Sequence, residues 1–208
     1  MWYNDTPGKF EDLQPEFPHP LRYTSLDRKD EVRFRYTRSL EPRKLLFVVE
    51  TDAGEQLCVK FSRSYDRAVH EQCAAWGISP SLKGLEVVPG GWHLVVMDFL
   101  KEYECLYNIK SEISREQRER LKDELGRSLE KLHQVGLVHG DVRDANVMVK
   151  KDRSRWMLVD FDWSGKIGQV RYPMNVTRGS SLRRPEGALD GEFILSGHDT
   201  EMLDYMFQ

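Results

Sequence analysis

Alternating apolar and polar positions predict several short strands in the first half of the chain. Val32–Thr37 alternates apolar and basic residues, which is the period of a half-buried strand. The β-rich runs Lys44–Thr51 and Gln56–Phe61 are joined by the turn sequence Asp-Ala-Gly-Glu and predict a hairpin. A Pro-Gly-Gly turn joins Leu85–Val88 to Trp92–Leu100 and predicts a second hairpin. The first half of the chain is therefore expected to be mainly β.

Two segments place apolar residues at helical spacing. The first, Tyr65–Trp76, lies between the two hairpins and stops at Gly77. The second begins with a capping box of Ser114 and Gln117, and Gly136 is placed to cap its C-terminal end. Its apolar face consists of Leu121, Leu125, Leu129 and Leu132. This is the clearest helix in the sequence, and it ends just before the most informative stretch of the chain.

That stretch combines a polar cluster with a β hairpin. His139 and Asp141 precede an apolar strand that starts at Asn146, and a polar turn leads to a second strand that ends at Asp160. The hairpin is expected to return Asp160 to the neighbourhood of Asn146, so that one carboxamide and one carboxylate can share a metal ion. Asp141 is placed to accept the proton of a substrate hydroxyl. This order and spacing suits metal-assisted phosphoryl transfer.

The same stretch resembles the catalytic loop, H-R-D-x-x-x-x-N, and the metal-binding D-F-G of the protein-kinase fold. Gly140 replaces the arginine and Asp162 replaces the glycine, a form more similar to aminoglycoside and choline phosphotransferases. The segments D-F-D-W-S-G-K-I-G, R-R-P-E-G and H-D-T-E-M-L resemble the compact kinase-like proteins of mushroom-forming fungi, over roughly residues 45–207. The resemblance implies an α+β, two-lobed protein-kinase-like fold, with a small, mostly β N-lobe and a short, mostly helical C-lobe.

The domain organisation follows from this resemblance and from the proline content. Residues 1–22 hold four prolines among aromatic residues, and we expect an extended N-terminal arm there. Residues 23–208 are expected to form the kinase-like domain. Its N-lobe is predicted at about residues 23–97, a hinge at about 98–104 and a truncated C-lobe at about 105–208.

The resemblance also implies roles in catalysis and metal binding. Asp141 is expected to be the catalytic base, and Asn146 and Asp160 are expected to bind Mg²⁺. Arg143 is either a cation that faces the γ-phosphate or a solvated loop arginine. Asp162 either adds a metal ligand or fills the backbone position of the missing glycine. His139 is expected to bridge backbone groups near Asp160. Asp199, on the following helix, is expected to hold the catalytic-loop backbone.

The nucleotide-binding residues are implied in the same way. Lys60 resembles the strand lysine that contacts the α- and β-phosphates of ATP, with an ordinary outward strand lysine as the alternative. Glu71 is the best candidate for its partner, although it equally fits a surface charge. The hinge falls at Met97, Asp98 and Leu100, where backbone groups are expected to bind the adenine edge.

Two further segments bear on activity. Where kinases carry G-x-G-x-x-G, residues 37–44 contain no glycine, and Ser39, Arg43 or Lys44 could contact phosphate instead. In the activation segment, Ser180 and Ser181 lie between Arg178 and the two arginines Arg183 and Arg184. A phosphate on either serine could pair with these arginines, and the alternative is an unmodified basic loop.

Composition narrows the function classes. The formal net charge is −3, from 31 basic and 34 acidic residues, which argues against a general nucleic-acid binder. The three cysteines have no C-x-x-C spacing and fit reduced thiols. We find no signal peptide and no apolar run long enough to span a bilayer, so a cytoplasmic or nuclear protein without membrane contact is expected.

The sequence is therefore interpreted as an ATP- and Mg²⁺-dependent phosphotransferase that moves the γ-phosphoryl group to a hydroxyl, with protein Ser/Thr preferred. One alternative is a small-molecule kinase of the aminoglycoside or choline kinase type. Another is a weakly active or inactive nucleotide-binding scaffold, because the glycine-rich loop is absent. Its expected partners are ATP and a hydroxyl acceptor, and the oligomeric state is left open.

Overall fold

The computed structural model describes residues 19–41, 44–179 and 182–208. The predicted arm, residues 1–22, lies outside the described residues except for its last four. The chain separates into a first unit, Met1–Arg63 with Leu82–Phe99, and a second unit, Ser64–Ser81 with Leu100–Gln208.

The first unit is an antiparallel sheet in which the strands follow the order β1-β2-β3-β4-β6-β5. Alternation along β2 buries Phe34 and exposes Arg33 and Arg35, as the sequence pattern predicts. β1 escapes a pattern search because it is only three residues long, yet it places Tyr23 in the core. The strands are β1 Arg22–Thr24, β2 Glu31–Glu41, β3 Leu46–Thr51, β4 Gln56–Ser62, β5 Leu82–Val88 and β6 Trp92–Asp98.

The second unit is built on four helices, α1 Arg67–Ala75, α2 Leu106–Ile109, α3 Arg115–Gln134 and α4 Ser196–Met206. The predicted capping box starts α3, because Ser114 accepts from the backbone N–H of Gln117 and the Gln117 side chain accepts from the backbone N–H of Ser114. Three leucines of the predicted apolar face of α3 are buried in one cluster with three residues of α4, namely Leu121, Leu125 and Leu129 with Met202, Leu203 and Met206. The fourth, Leu132, is buried in a second cluster with Val69, Cys73 and Phe161.

α1 belongs to the second unit, whereas the sequence interpretation placed it in the N-lobe. Val69 and Cys73 are fully buried in a cluster with Leu132 and Phe161. The backbone N–H of Asp66, the N-cap residue, donates to the carbonyl of Phe161 at 3.1 Å. The apolar face of this helix therefore packs on the residue that follows Asp160.

Five short strands complete the second unit: β7 Tyr103–Cys105, β8 Leu137–Val138, β9 Val147–Lys150, β10 Trp156–Leu158 and β11 Gly165–Lys166. β9 and β10 form the predicted hairpin, with Val147 opposite Leu158. β7 pairs with β9, so the end of the predicted hinge is a strand of this unit. β8 pairs with β11 in a separate two-stranded ribbon.

The α+β class predicted from the sequence is confirmed, with a mostly β first unit and a largely helical second unit. Within residues 19–41, 44–179 and 182–208, no helix has the length and apolarity needed to cross a bilayer.

Candidate active site

The candidate active site is built around the carboxylate of Asp141, in the loop that follows β8. The Asp141 residue is 6% exposed. A 3-10 turn, Asp144–Asn146, ends the loop and turns the Asn146 side chain back towards it. The Asn146 amide nitrogen donates to the backbone carbonyl of Asp141 and to its Oδ2, each at 2.9 Å. The five-residue spacing of the motif therefore lets one carboxamide fix the proposed base.

Asp199 holds the backbone on the other side of the loop. Its Oδ2 accepts from the N–H of His139 and its Oδ1 from the N–H of Gly140, both at 2.8 Å. His133 of α3 places Nε2 3.1 Å from the same Oδ2. Because Asp199 is only 1% exposed, these polar partners offset the cost of burying its charge. Its expected role in holding the catalytic-loop backbone is confirmed.

Gly140 stands where the protein-kinase motif has arginine because this backbone excludes a side chain. Its φ is +84°, and a Cβ would lie 2.5 Å from the carbonyl oxygen of Trp163. The left-handed conformation alone disfavours other residues, and the close carbonyl excludes them sterically.

We expect Gly140→Ala to destabilise the protein by about 3 kcal/mol or more, from left-handed strain together with overpacking. Gly136→Ala is the matched control, since Gly136 has φ +79° but nothing within 4 Å of a Cβ. Only the left-handed backbone strain applies at Gly136, and we expect Gly136→Ala to lower the free energy of unfolding by about 1 kcal/mol. Urea denaturation measures both free energies of unfolding. Equal losses in the two variants would contradict the steric argument.

His139 has the structural role expected from the sequence. The residue is fully buried, and its Nε2 lies 3.1 Å from the carbonyl oxygen of Val159. A carbonyl can only accept, so Nε2 carries the proton and Nδ1 accepts from the backbone N–H of Asp141 at 3.3 Å. His139 thus ties the loop to the residue before Asp160.

The β9–β10 hairpin brings Asn146 and Asp160 together. The N–H of Val159 donates to the carbonyl of Asn146 at 3.0 Å, and Asp160 follows directly. Asp160 has φ +74°, a left-handed conformation that aspartate tolerates better than most residues. This left-handed residue follows the end of β10 at Leu158 and lies between Val159 and the buried Phe161.

These two residues fit a divalent metal ion with oxygen ligands. Both hydrogen bonds of the Asn146 side chain use the amide nitrogen, which leaves the amide oxygen for coordination. Asp160 adds a carboxylate, and an amide oxygen with a carboxylate is a donor set that suits Mg²⁺. Among the residues that the structure describes, no group of three or more His, Cys, Asp or Glu could hold a metal ion. The site would therefore need nucleotide phosphates and water as its remaining ligands.

Two arginines contact the carboxylate of Asp141. The Nε of Arg143 lies 3.0 Å from Oδ2, so the structure places this residue on the base itself. Arg184 places Nη2 2.8 Å from Oδ1, and its side chain is only 3% exposed. The contact of Arg184 with Asp141 was missed from the sequence, where this arginine was considered as a partner for phosphate on Ser180 or Ser181, with an unmodified basic loop as the alternative. Both serines lie outside the described residues.

The residues predicted to bind nucleotide are divided between the two units. Lys60 lies in β4 opposite Val95 of β6, and Asp98 ends β6 with an ion pair to Lys83 at 3.0 Å. Met97 is also in β6, whereas Leu100 belongs to the second unit. The nucleotide roles of these residues stay predictions.

Glu71 lies on α1 and forms an ion pair with Arg67 one turn earlier, at 2.8 Å. Both side chains are close to half exposed, and such i, i+4 pairs contribute about 0.3–0.5 kcal/mol. This environment is that of the surface charge considered as the alternative reading. The pairing of Glu71 with Lys60 stays a prediction.

The segment without glycine continues β2 as far as Glu41, and Ser39 pairs there with Phe47 of β3. The N–H of Lys44 donates to the Glu41 carbonyl at 3.0 Å in the turn between these strands. Arg43 lies outside the described residues. Residues 37–41 are thus part of a strand, where kinases carry a glycine-rich loop.

Two of the three cysteines are core residues. Burial raises the pKa of the Cys58 thiol to about 12, and burial likewise raises the pKa of Cys73 to about 12. Both thiols therefore stay protonated near neutral pH and act as small apolar side chains.

Comparison with known proteins identifies the class of fold. Residues 87–169 match the family model described as "RIO1: RIO domain", a range that includes the candidate base and both candidate metal ligands. No curated protein sequence matches the chain. The kinase PK-1 of the Cydia pomonella granulovirus is similar in structure, with a TM-score of 0.66 and 15% identity over 82% of this chain and 65% of that chain. Vaccinia related kinase 3 has a TM-score of 0.64 and 15% identity over 95% of this chain and 70% of its own.

The chain therefore has a protein-kinase-like fold, as predicted from its motifs. It spans slightly less than two thirds of the granulovirus kinase, at 65% of that chain.

Proposed function

We propose that this protein is an ATP- and Mg²⁺-dependent phosphotransferase that moves the γ-phosphoryl group to a hydroxyl, with Asp141 as the base. The observation that supports this most strongly is the hydrogen-bonded set of Asp141, Asn146 and Val159. It fixes a buried carboxylate beside the two oxygen ligands of a candidate metal site. A base and metal ligands held by one hairpin is the arrangement that phosphoryl transfer needs.

In the proposed reaction, the Asp141 carboxylate accepts the proton of the acceptor hydroxyl. The acceptor oxygen forms a bond to the γ-phosphorus, and the bond from that phosphorus to the bridging oxygen of ATP breaks, so that ADP leaves. Asp141 then returns the proton to solvent. Asn146 holds the carboxylate in position throughout. Magnesium bound by Asn146 and Asp160 would neutralise charge on the phosphates.

We favour a protein serine or threonine as the acceptor. The segment that follows Asp162 supplies Arg184 to the base, so a polypeptide surface borders Asp141. An extended surface beside the base suits a polypeptide acceptor more than a small molecule. This segment has its own apolar cluster, formed with Val138 by Tyr172, Val176, Ala188 and Ile194. The H-G-D and D-F-D motifs, which resemble those of small-molecule kinases, favour the alternative acceptor class.

A catalytically weak nucleotide-binding scaffold is the second candidate function. It is supported by the two arginines on Asp141 and by the absence of glycine from residues 37–44. Both features allow nucleotide binding while they disfavour turnover.

Thermal shift followed by transfer assays separates these functions. ATP with Mg²⁺ at about 100 times its dissociation constant contributes about 2.7 kcal/mol, which raises Tm by about 5–10 °C for a chain of this length. ATP with a chelator is the control. Labelled γ-phosphate is then offered to a Ser/Thr peptide library, to choline and to an aminoglycoside. Transfer to peptides supports the proposal, transfer to the small molecules alone reassigns the acceptor, and stabilisation without transfer supports the scaffold.

A further inference from the structure

We infer that Arg184 is a gate on the proposed base. In this conformation its guanidinium occupies the carboxylate oxygen that an acceptor hydroxyl would use, and phosphoryl transfer requires Arg184 to leave Asp141. The inference rests on the proposed role of Asp141. It adds an autoinhibitory contact, in which Arg184 of the same chain blocks the proposed base.

The two oxygens of Asp141 are not equally occupied by the catalytic loop. Oδ2 accepts a hydrogen bond from the Asn146 amide at 2.9 Å and lies 3.0 Å from the Arg143 Nε as an ion pair, so both groups of the loop that contact the carboxylate approach this oxygen. Among the residues that the structure describes, Oδ1 accepts a hydrogen bond only from Arg184, through Nη2 at 2.8 Å. The side chains of Asp141 and Arg184 are only 8% and 3% exposed, so the Arg184 guanidinium covers Oδ1. An acceptor hydroxyl can reach this oxygen only after Arg184 has moved.

Within the part of the chain that the structure describes, Arg184 is held by Thr177 and Trp163, and Asp141 is its one partner in the catalytic loop. Its Nε donates to the carbonyl of Thr177 at 3.0 Å, and its guanidinium lies 4.6 Å from the ring centroid of Trp163. Arg184 can therefore leave Asp141 through a change in these contacts alone, without a change in the catalytic loop. Asn146 and Arg143 would meanwhile keep Asp141 in position, because they approach the other oxygen.

In the closed state, with Arg184 on Asp141, one donor of the Arg184 guanidinium lacks a hydrogen-bond partner among the described residues. Nη1 of Arg184 is buried without a hydrogen-bond partner among the residues that the structure describes. A buried, charged donor without an acceptor is costly, whereas the same group in water is fully solvated. The hydrogen bond to Asp141 favours the closed state, whereas the unsatisfied Nη1 disfavours it. We therefore expect the contact to be reversible.

The test is Arg184→Gln in the full chain, with ADP formation and self-phosphorylation as readouts at saturating ATP and Mg²⁺. If the gate is closed in nine tenths of the molecules, its removal raises the rate of ADP formation about tenfold, since the rate follows the open fraction. Arg183→Gln is the matched control. Arg183 is the neighbouring arginine, but it contacts Gln208 and Tyr205 and makes no contact with Asp141, and we expect no change. The double variant Arg184→Gln with Asp141→Asn should lose the gain.

Arg184→Lys guards against a folding defect in the glutamine variant. Lysine keeps the charge, but one ammonium cannot span Asp141, Thr177 and Trp163 together, so a smaller rise is expected. Unchanged or lower ADP formation in both variants, with Tm within a few degrees of the parent, would overturn the gate, including the case of no turnover at all. Stabilisation by ATP with Mg²⁺ is measured alongside. Its absence in the parent overturns the proposed function, whereas its presence without a rate increase overturns the gate alone.

Discussion

Asp141→Asn is expected to reduce phosphoryl transfer by at least about hundredfold while ATP with Mg²⁺ still stabilises the protein. Loss of a general base typically lowers the rate by 10²–10⁴, because the acceptor hydroxyl loses its proton acceptor. Nucleotide binding should persist, since Asn146 and Asp160 are unchanged and the substitution preserves shape. The measurements are labelled γ-phosphate transfer and the thermal shift with ATP and Mg²⁺.

Asp144→Asn is the matched control for this variant. Asp144 lies three residues further along the same loop, and its carboxylate pairs with Lys110 at 3.3 Å and not with the proposed acceptor site. Its transfer rate should stay close to that of the parent. Transfer by the Asp141 variant within about tenfold of the parent corresponds to about 1.4 kcal/mol of barrier, and that outcome would exclude Asp141 as the base.

Local patterns were sufficient for most of the fold. The capping box at Ser114, the leucine face of α3 and the β9–β10 hairpin are all set by residues a few positions apart, and all three are confirmed. Patterns failed where the determining contact is distant in sequence. The helix α1 lies in the second unit because Val69 packs on Phe161, a residue that no local period connects with it.

The site shows the same division. The contact between Asn146 and Asp141 spans five residues, and the motif itself encodes it. The contact between Arg184 and Asp141 spans 43 residues, and it depends on how the whole intervening segment folds. The only sequence signal was the pair of arginines before Pro185. That signal indicated a basic segment and could not tell which anion it pairs with.

Asp160→Ala is expected to remove the Mg²⁺-dependent part of the ATP thermal shift. Asn146 would then be the one remaining protein ligand of the candidate site, and a single amide oxygen holds Mg²⁺ weakly without a carboxylate. The variant should also be less stable before ligand is added, because alanine at φ +74° costs about 1–2 kcal/mol. The quantity to compare is therefore the ligand-induced change in Tm within each variant, and not Tm itself.

Asp160→Asn separates the two effects, since asparagine tolerates the left-handed backbone but lacks the charge. It should keep the stability of the parent in the absence of ligand and still lose most of the Mg²⁺-dependent shift. Asp152→Ala removes an exposed carboxylate from the turn of the same hairpin, where it pairs with Lys150 at 2.9 Å, and it should leave the ligand-induced shift intact. If both Asp160 variants keep the full shift with ATP and Mg²⁺, the metal is bound elsewhere, and the left-handed backbone at this position serves only to turn the chain towards Phe161.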